Sequence, residues 1–203
     1  MKQKIILWVK GGAILINNAD YIEKAEILRE KGTNRAQFFR GTVAKYNWVD
    51  FGDSFLPSDL NAAYLWAQLE MADIINENRI STWNRYYNSL KILEKMKIIT
   101  LPFVPNECVH NAHMFYLKTK NIKIRQAYIQ YMKQNDILCV FHYVPLHSAP
   151  AGVKYGRFNG EDKYTTSESE RLVRLPMYYD MDKKDVDMVI KKTIDFFVGE
   201  NVI

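Results

Sequence analysis

Between Pro57 and Pro102 the apolar residues recur at steps of three and four: Leu60, Tyr64, Ala67, Met71 and Ile74, then Trp83, Tyr87, Leu90 and Leu93. That period lays one continuous stripe along a helix. Ser58 or Asp59 can cap its start, directly after Pro57. The pattern runs for about 35 residues, well beyond the usual three or four turns. A bend is expected near Asn76 and Asn78. A helix this long commonly joins two lobes, so the chain divides into 1–57, a connecting helix over 58–100 and a smaller lobe over 101–203. The composition shifts after Pro102 and Pro105, which sets the second boundary.

In the first lobe, residues 13–17 read as a short buried strand. Asp20 opens a helix, with Glu23 placed to bond back to the cap and Ile22, Ala25 and Leu28 inward. Gly32 is its expected left-handed stop. From Thr33 to Pro57 no period holds, and the stretch is rich in aromatic residues. A loop this long inside a domain is usually functional or contacts a partner. The second lobe reads as a strand over 113–118, a helix over 124–135 and a strand over 137–143. A loop with Pro145, Pro150, Gly152, Gly156 and Gly160 follows. Ser167 and Glu170 form a capping box for a short helix. Asp182 starts the last helix, with Val186, Ile190, Ile194 and Phe197 inward. The class is α/β with a small α+β lobe.

With 48% hydrophobic and 25% charged residues among 203, the chain can bury a core, which excludes disorder as its general state. No apolar run approaches the roughly 20 residues of a spanning helix. The run over 5–9 is followed at once by Lys10 and two glycines, unlike a secretory leader, so a cytoplasmic protein is expected. Two cysteines, Cys108 and Cys139, fit a reducing compartment. The net charge of +5 is scattered along the chain; a nucleic-acid footprint would gather it on one element. A diffuse positive field suits an anionic small substrate equally well.

His110, His113 and Cys108 loosely suggest a metal site. However, a spacing of three along a strand points side chains to opposite faces, and a second ligand cluster is missing. His142 and His147 bracket a strand end running into a proline turn, where an imidazole can shuttle a proton or donate to an anion. A strand-end histidine satisfied by backbone is the competing reading. Lys10-Gly11-Gly12 completes no phosphate-binding glycine pattern, Cys139 reads as a buried thiol, and Asp50 and Asp53 lack metal-loop spacing. Composition and spacing stop at an α/β protein that binds an anion.

Longer motifs go further. They are Thr33-Asn34-Arg35-Ala36-Gln37-Phe38-Phe39-Arg40-Gly41, Ser54-Phe55-Leu56-Pro57-Ser58-Asp59-Leu60-Asn61, Asn111-Ala112-His113-Met114-Phe115-Tyr116, Val140-Phe141-His142-Tyr143-Val144-Pro145-Leu146-His147 and Tyr164-Thr165-Thr166-Ser167-Glu168-Ser169-Glu170-Arg171-Leu172. In this order they resemble the DegT/DnrJ/EryC1/StrS sugar aminotransferases, over nearly the whole chain from Gly11 onward. The resemblance implies the C-terminal half of a fold type I enzyme that depends on pyridoxal 5'-phosphate. It implies a reaction in surface-polysaccharide assembly that converts dTDP-4-keto-6-deoxyglucose to its 4-amino sugar, with glutamate as donor. The partners so implied are the nucleotide sugar, glutamate and a second copy in a homodimer, with no nucleic acid and no membrane span.

In that family a loop reading approximately His-Glu-Thr-Lys-Asn-Tyr-Thr-x-Gly-Glu precedes the Gly-Gly-Ala strand, and its lysine bonds the cofactor. Here the same span is Met1-Lys2-Gln3-Lys4-Ile5-Ile6-Leu7-Trp8-Val9-Lys10. A one-base shift of a suitable coding sequence restores the family loop, so residues 1–10 are expected to be frame-shifted. Lys4 falls at the position of the catalytic lysine. Many relatives carry a Gly-x-Asn-x-Arg segment that holds the cofactor phosphate of the neighbouring subunit. Its matching positions are Gly52, Ser54 and Leu56; Ser54 keeps one donor, whereas Leu56 replaces the arginine. His142, Tyr143 and His147 resemble the turn beside the substrate, and Arg35 and Arg40 are candidates for anion contact. The resemblance implies no metal. Two readings follow: an aminotransferase fragment inactive by itself, or a non-enzymatic α/β module binding through its aromatic loop.

Overall fold

The computed structural model describes residues 12–199, which fall into two compact units meeting between Met71 and Ala72. In the N-terminal unit residues 12–17 form no strand, contrary to expectation. A five-residue apolar run becomes a strand only when a neighbour takes its backbone hydrogen bonds, and among the described residues none does. Helix α1 (Ile22–Arg29) follows a 3-10 turn over Ala19–Tyr21. The cap is Asn18, whose side chain accepts the Asp20 N–H at 3.0 Å, rather than Asp20 itself. Gly32 does adopt the left-handed conformation, with φ of +74°, and its N–H closes onto the Ile27 carbonyl at 2.9 Å.

The stretch read as irregular holds a short helix, α2 (Arg35–Phe39), and then returns to α1 through the bridges Thr33 to Trp48 and Glu30 to Ser54. The return is close enough to dictate residue size. A Cβ added to Gly52 would lie 2.1 Å from the Gly32 nitrogen. Gly52→Ala should therefore displace this loop from α1, measured as lost amide protection at Asp53 and Phe55, whose N–H groups bond the Leu28 and Arg29 carbonyls.

Helix α3 (Asp59–Glu70) begins where expected, with Ser58 Oγ accepting the Asn61 N–H. The helical ladder then breaks at Met71 and restarts as α4 (Ala72–Lys95). Helix α4 runs without interruption through Asn76 and Asn78. Asn78 turns its carbonyl oxygen to the Asp180 N–H at 2.9 Å, so it does not compete for its own helix backbone.

In the C-terminal unit, strands β1 (Tyr116–Lys118) and β2 (Val140–Phe141) are shorter than expected, with α5 (Ile122–Gln134) between them. Helix α6 (Pro150–Tyr155) occupies part of the glycine-rich loop, and α7 (Thr165–Arg171) runs directly into β3 (Leu172–Arg174). Strand β3 was not foreseen, yet it is the centre of the antiparallel sheet β1-β3-β2. It pairs Tyr116 with Arg174 on one side and Val140 with Arg174 on the other. Helix α8 (Lys183–Val198) begins at Asp182, as expected, with the Asp182 carboxylate accepting the Lys184 N–H.

Tyr86, Leu90 and Leu93 of α4, Tyr128 and Met132 of α5, Val186 and Phe197 of α8, and Phe115, Leu117 and Val173 beside or within the sheet form one core. Several of its polar groups are satisfied internally. The Tyr86 hydroxyl donates to the Pro176 carbonyl at 2.9 Å, and the Tyr128 and Thr193 hydroxyls bond at 2.8 Å. Arg79 is 1% exposed and donates to the carbonyls of Ala112 and His113. Cys139 is buried, and burial pushes its thiol up to about 12. At pH 8 a thiol reagent should modify exposed Cys108 at once and Cys139 only on unfolding, read as one fast and one slow equivalent.

Candidate functional site

Residues 141–147 leave the end of β2 and carry three of the expected substrate contacts. His142 is half-buried, its ring edge-on to Tyr143 with centroids 5.3 Å apart. Its Nδ1 is buried and has no hydrogen-bond partner. Burial, then the nearby Arg174 charge, lower the His142 pKa, so near neutral pH the ring is uncharged and can both donate and accept. Tyr143 is exposed, and the Arg174 guanidinium lies 5.7 Å from its ring centroid. This turn is largely exposed and carries a half-buried imidazole whose Nδ1 has no partner.

His147 is differently placed. Its Nε2 lies 2.9 Å from Asp162 Oδ2, and its ring packs 4.4 Å from that of Phe158. Asp162 also takes the hydroxyl and N–H of Thr166, so its carboxylate satisfies a first-turn donor of α7 from ahead of the cap position, Tyr164. The expected box of Ser167 and Glu170 is not the cap: Ser167 Oγ donates to the Tyr164 carbonyl. The Thr166 hydroxyl, above all, holds the Asp162 carboxyl below the usual range. A lowered carboxyl stabilises the fold above its ordinary pKa and loses that contribution as pH falls through the folded value. Order in α7 should therefore decline with acid below about pH 4, followed by amide shifts of Thr166, and Asp162→Asn should flatten that response.

The remaining candidates lie in the N-terminal unit. Arg40 makes a fork with Glu26 at 2.8 and 2.6 Å, and Arg35 lies 3.8 Å from Glu30 with its guanidinium 5.1 Å from the Phe39 centroid. Both retain exposed guanidinium surface. Ser54 is exposed, with its N–H held by the Asp53 carboxylate. Lys4 lies outside the described residues. Of the residues weighed for a metal, His110 accepts the Ala112 N–H and packs on Trp83, while Cys108 is exposed.

A pyridoxal phosphate needs donors around its phosphate and an enclosed ring site. Around Ser54 the structure offers one exposed hydroxyl beside the carboxylate of Asp53, and like charge opposes a phosphate dianion there. The described residues by themselves do not fit the cofactor.

The sequence profile of the DegT/DnrJ/EryC1/StrS aminotransferase family matches residues 2–193. The chain belongs to that family. The family is pyridoxal-phosphate dependent, as the expectation had it. Among curated relatives, the dTDP-3-amino-3,6-dideoxy-alpha-D-galactopyranose transaminase of Aneurinibacillus thermoaerophilus is 27% identical over 184 residues, covering 89% of this chain and 45% of its own. The aminotransferase TlmJ from Streptoalloteichus hindustanus superposes with a TM-score of 0.76 at 18% identity, over 92% of this chain and 47% of that one. DesV of S. venezuelae, solved with a ketimine intermediate, gives 0.73 at 20% identity over 92% and 46%. These structural likenesses show the fold, and it is the aminotransferase α/β fold expected. The chain spans about half the length of the curated relatives it matches. No helix among the described residues is long and apolar enough to cross a membrane.

Sequence reasoning missed Arg174 and Asp162. Arg174 stood outside every chemical motif because β3 was not read as a strand. Asp162 lies four residues before Thr166, in a stretch read only as a proline- and glycine-containing loop.

Proposed function

We propose that this chain forms the substrate-facing half of a nucleotide-sugar aminotransferase that converts dTDP-4-keto-6-deoxyglucose to dTDP-4-amino-4,6-dideoxygalactose with glutamate as donor. The observation that carries the reading is the turn over 141–147, in a chain whose family profile runs almost end to end. His142 offers a half-buried neutral imidazole, Tyr143 an exposed phenol, and His147 a ring fixed by Asp162. These suit the hydroxyls and diphosphate of a sugar nucleotide. Arg35 and Arg40 are the proposed anion contacts and Ser54 the remaining phosphate donor, in a homodimer whose cofactor is held largely by other residues. Lys4 stands at the aligned lysine position. The chain by itself is then inactive, because one hydroxyl beside the Asp53 carboxylate does not bind the cofactor phosphate. The reading also leaves the 1–57, 58–100 and 101–203 division as a division of the enzyme's large domain, connecting helix and small domain.

The test pairs two measurements. Pyridoxal phosphate added to the purified chain should keep the absorption spectrum of the free cofactor. Thymidine diphosphate should shift the NMR signals of His142 and Tyr143 selectively. A changed cofactor spectrum with turnover would overturn the inactivity; an unmoved His142 would overturn the substrate assignment.

A second reading has its own support. Trp48 is 75% exposed and Phe51 83%, on the loop expected to meet a partner. A non-enzymatic module docking through this loop would bind its partner unchanged after His142→Ala, whereas the transaminase substrate would not.

A further inference from the structure

Strand β3 is bonded on both sides, so the backbone of Arg174 is fixed by Tyr116 across one ladder and Val140 across the other. Side chains alternate across a strand, so Val173 turns into the core with Leu117 while Arg174 stands on the opposite face with Tyr116 and Val140. From there the guanidinium reaches past the end of β2. Its Nη2 donates to the Phe141 carbonyl at 3.4 Å, and its carbon lies 5.7 Å from the Tyr143 centroid. The other aromatic of the turn is covered from α5: Arg125 lies 5.5 Å from the Phe141 centroid and donates to the Ser169 carbonyl at 3.1 Å. Between the two aromatics stands His142.

We propose that Arg174 is a positioning residue for the substrate-facing turn: anchored in the central strand, it holds the Phe141 carbonyl and the Tyr143 ring so that the half-buried His142 ring keeps one orientation. The proposal rests on the reading of this turn as the sugar-nucleotide contact. Three features support it. The anchor is the most constrained backbone of the sheet, and the tethered segment is a two-residue strand with little hydrogen bonding of its own. Arg174 also makes two kinds of contact that a planar guanidinium offers together and an ammonium does not, a directed N–H bond and a face over an aromatic ring. Finally, the Nε of Arg174 and the Nδ1 of His142 are both buried without a partner, so the turn is held while its polar edge stays uncommitted. Burial, and after it the same cation, oppose protonation of His142 and keep the ring neutral.

The full chain tests this by NMR without any turnover. Arg174→Met should raise the His142 titration midpoint towards that of free imidazole, about 6.5, and increase amide exchange at Tyr143 and Val144 several-fold. Arg174→Lys keeps the charge and loses the planar contact, so it should leave the midpoint low while exchange still rises. Arg125→Met, which covers Phe141 only, should leave the His142 midpoint in place. Should Arg174→Met fail to fold, the lysine variant carries the test through its exchange rates. If neither variant changes exchange in the turn, Arg174 is mere packing and the proposal is overturned. If the variants behave as stated but thymidine diphosphate leaves His142 unmoved, the positioning role stands and the sugar-nucleotide reading is what fails.

Discussion

Replacing Arg79 with alanine should cost the C-terminal unit about 3–5 kcal/mol, seen as a lower urea midpoint at unchanged slope. Arg79 is a fully buried cation with no carboxylate among its recorded contacts; it is held by Nε and Nη2 to the Ala112 carbonyl at 3.2 and 3.1 Å and by Nη2 to the His113 carbonyl at 2.7 Å. Burial lowers its pKa, but a guanidinium starts so high that it stays charged. Truncation would strand two carbonyls, each costing about 1–3 kcal/mol when unpaired, and would open a cavity where the methylenes packed. It would also release Ala112, which sits at a φ of +50° that a non-glycine residue seldom adopts. Adding Ala112→Gly to the alanine variant should therefore recover little of the loss, because the carbonyls remain bare. Arg79→Lys should fall between, since one ammonium cannot reproduce the fork. A loss below about 1 kcal/mol for the alanine variant would show that water satisfies those carbonyls and that the arginine is not the strut described.

Leu90→Ala should destabilise by about 2–5 kcal/mol, whereas Leu60→Ala should stay within about 0.5 kcal/mol. Both leucines belong to the same stripe in the sequence. In the structure Leu90 is fully buried among residues of α4, α8 and the sheet, while Leu60 is 84% exposed. Thermal and urea unfolding of the two variants side by side would check the contrast. If Leu60→Ala costs as much as Leu90→Ala, a surface that α3 buries in solution has to be added to the fold described.

That pair also shows how far periodicity reads. It located α4, α5 and α8 and their inward residues, because a strong apolar stripe has only one way to leave water. It could not say which stretch of the stripe would find a partner, nor that the helical ladder stops at Met71. Caps behaved similarly. Ser58 and Asp182 bond the N–H groups that their positions suggest. Asn18 and Asp162 took that role from Asp20 and Ser167 because nearby side chains compete for the same orphan donors. Strands were the least legible. Strand β3 is three residues long and has no alternation to display, and it exists because β1 and β2 lie on either side of it.

The candidate site follows the same division. The motif over 141–147 was visible as residue types, and its likeness to sugar aminotransferases came from runs of side chains that no period explains. What it lacked was any account of His142's surroundings, since its two strongest neighbours are Tyr143, which is local, and Arg174, which is 32 positions away.

By itself the order of residues was enough for the family and for most of α4, α5 and α8, since these depend on local spacing and on motifs contiguous in the chain. Only the folded chain decided that Arg79 would be a buried strut, that β3 would be the central strand, and that Arg174 would stand over the His142 turn. Those outcomes depend on hydrogen bonds and charges brought together across long sequence separations, and no short window of sequence contains both partners.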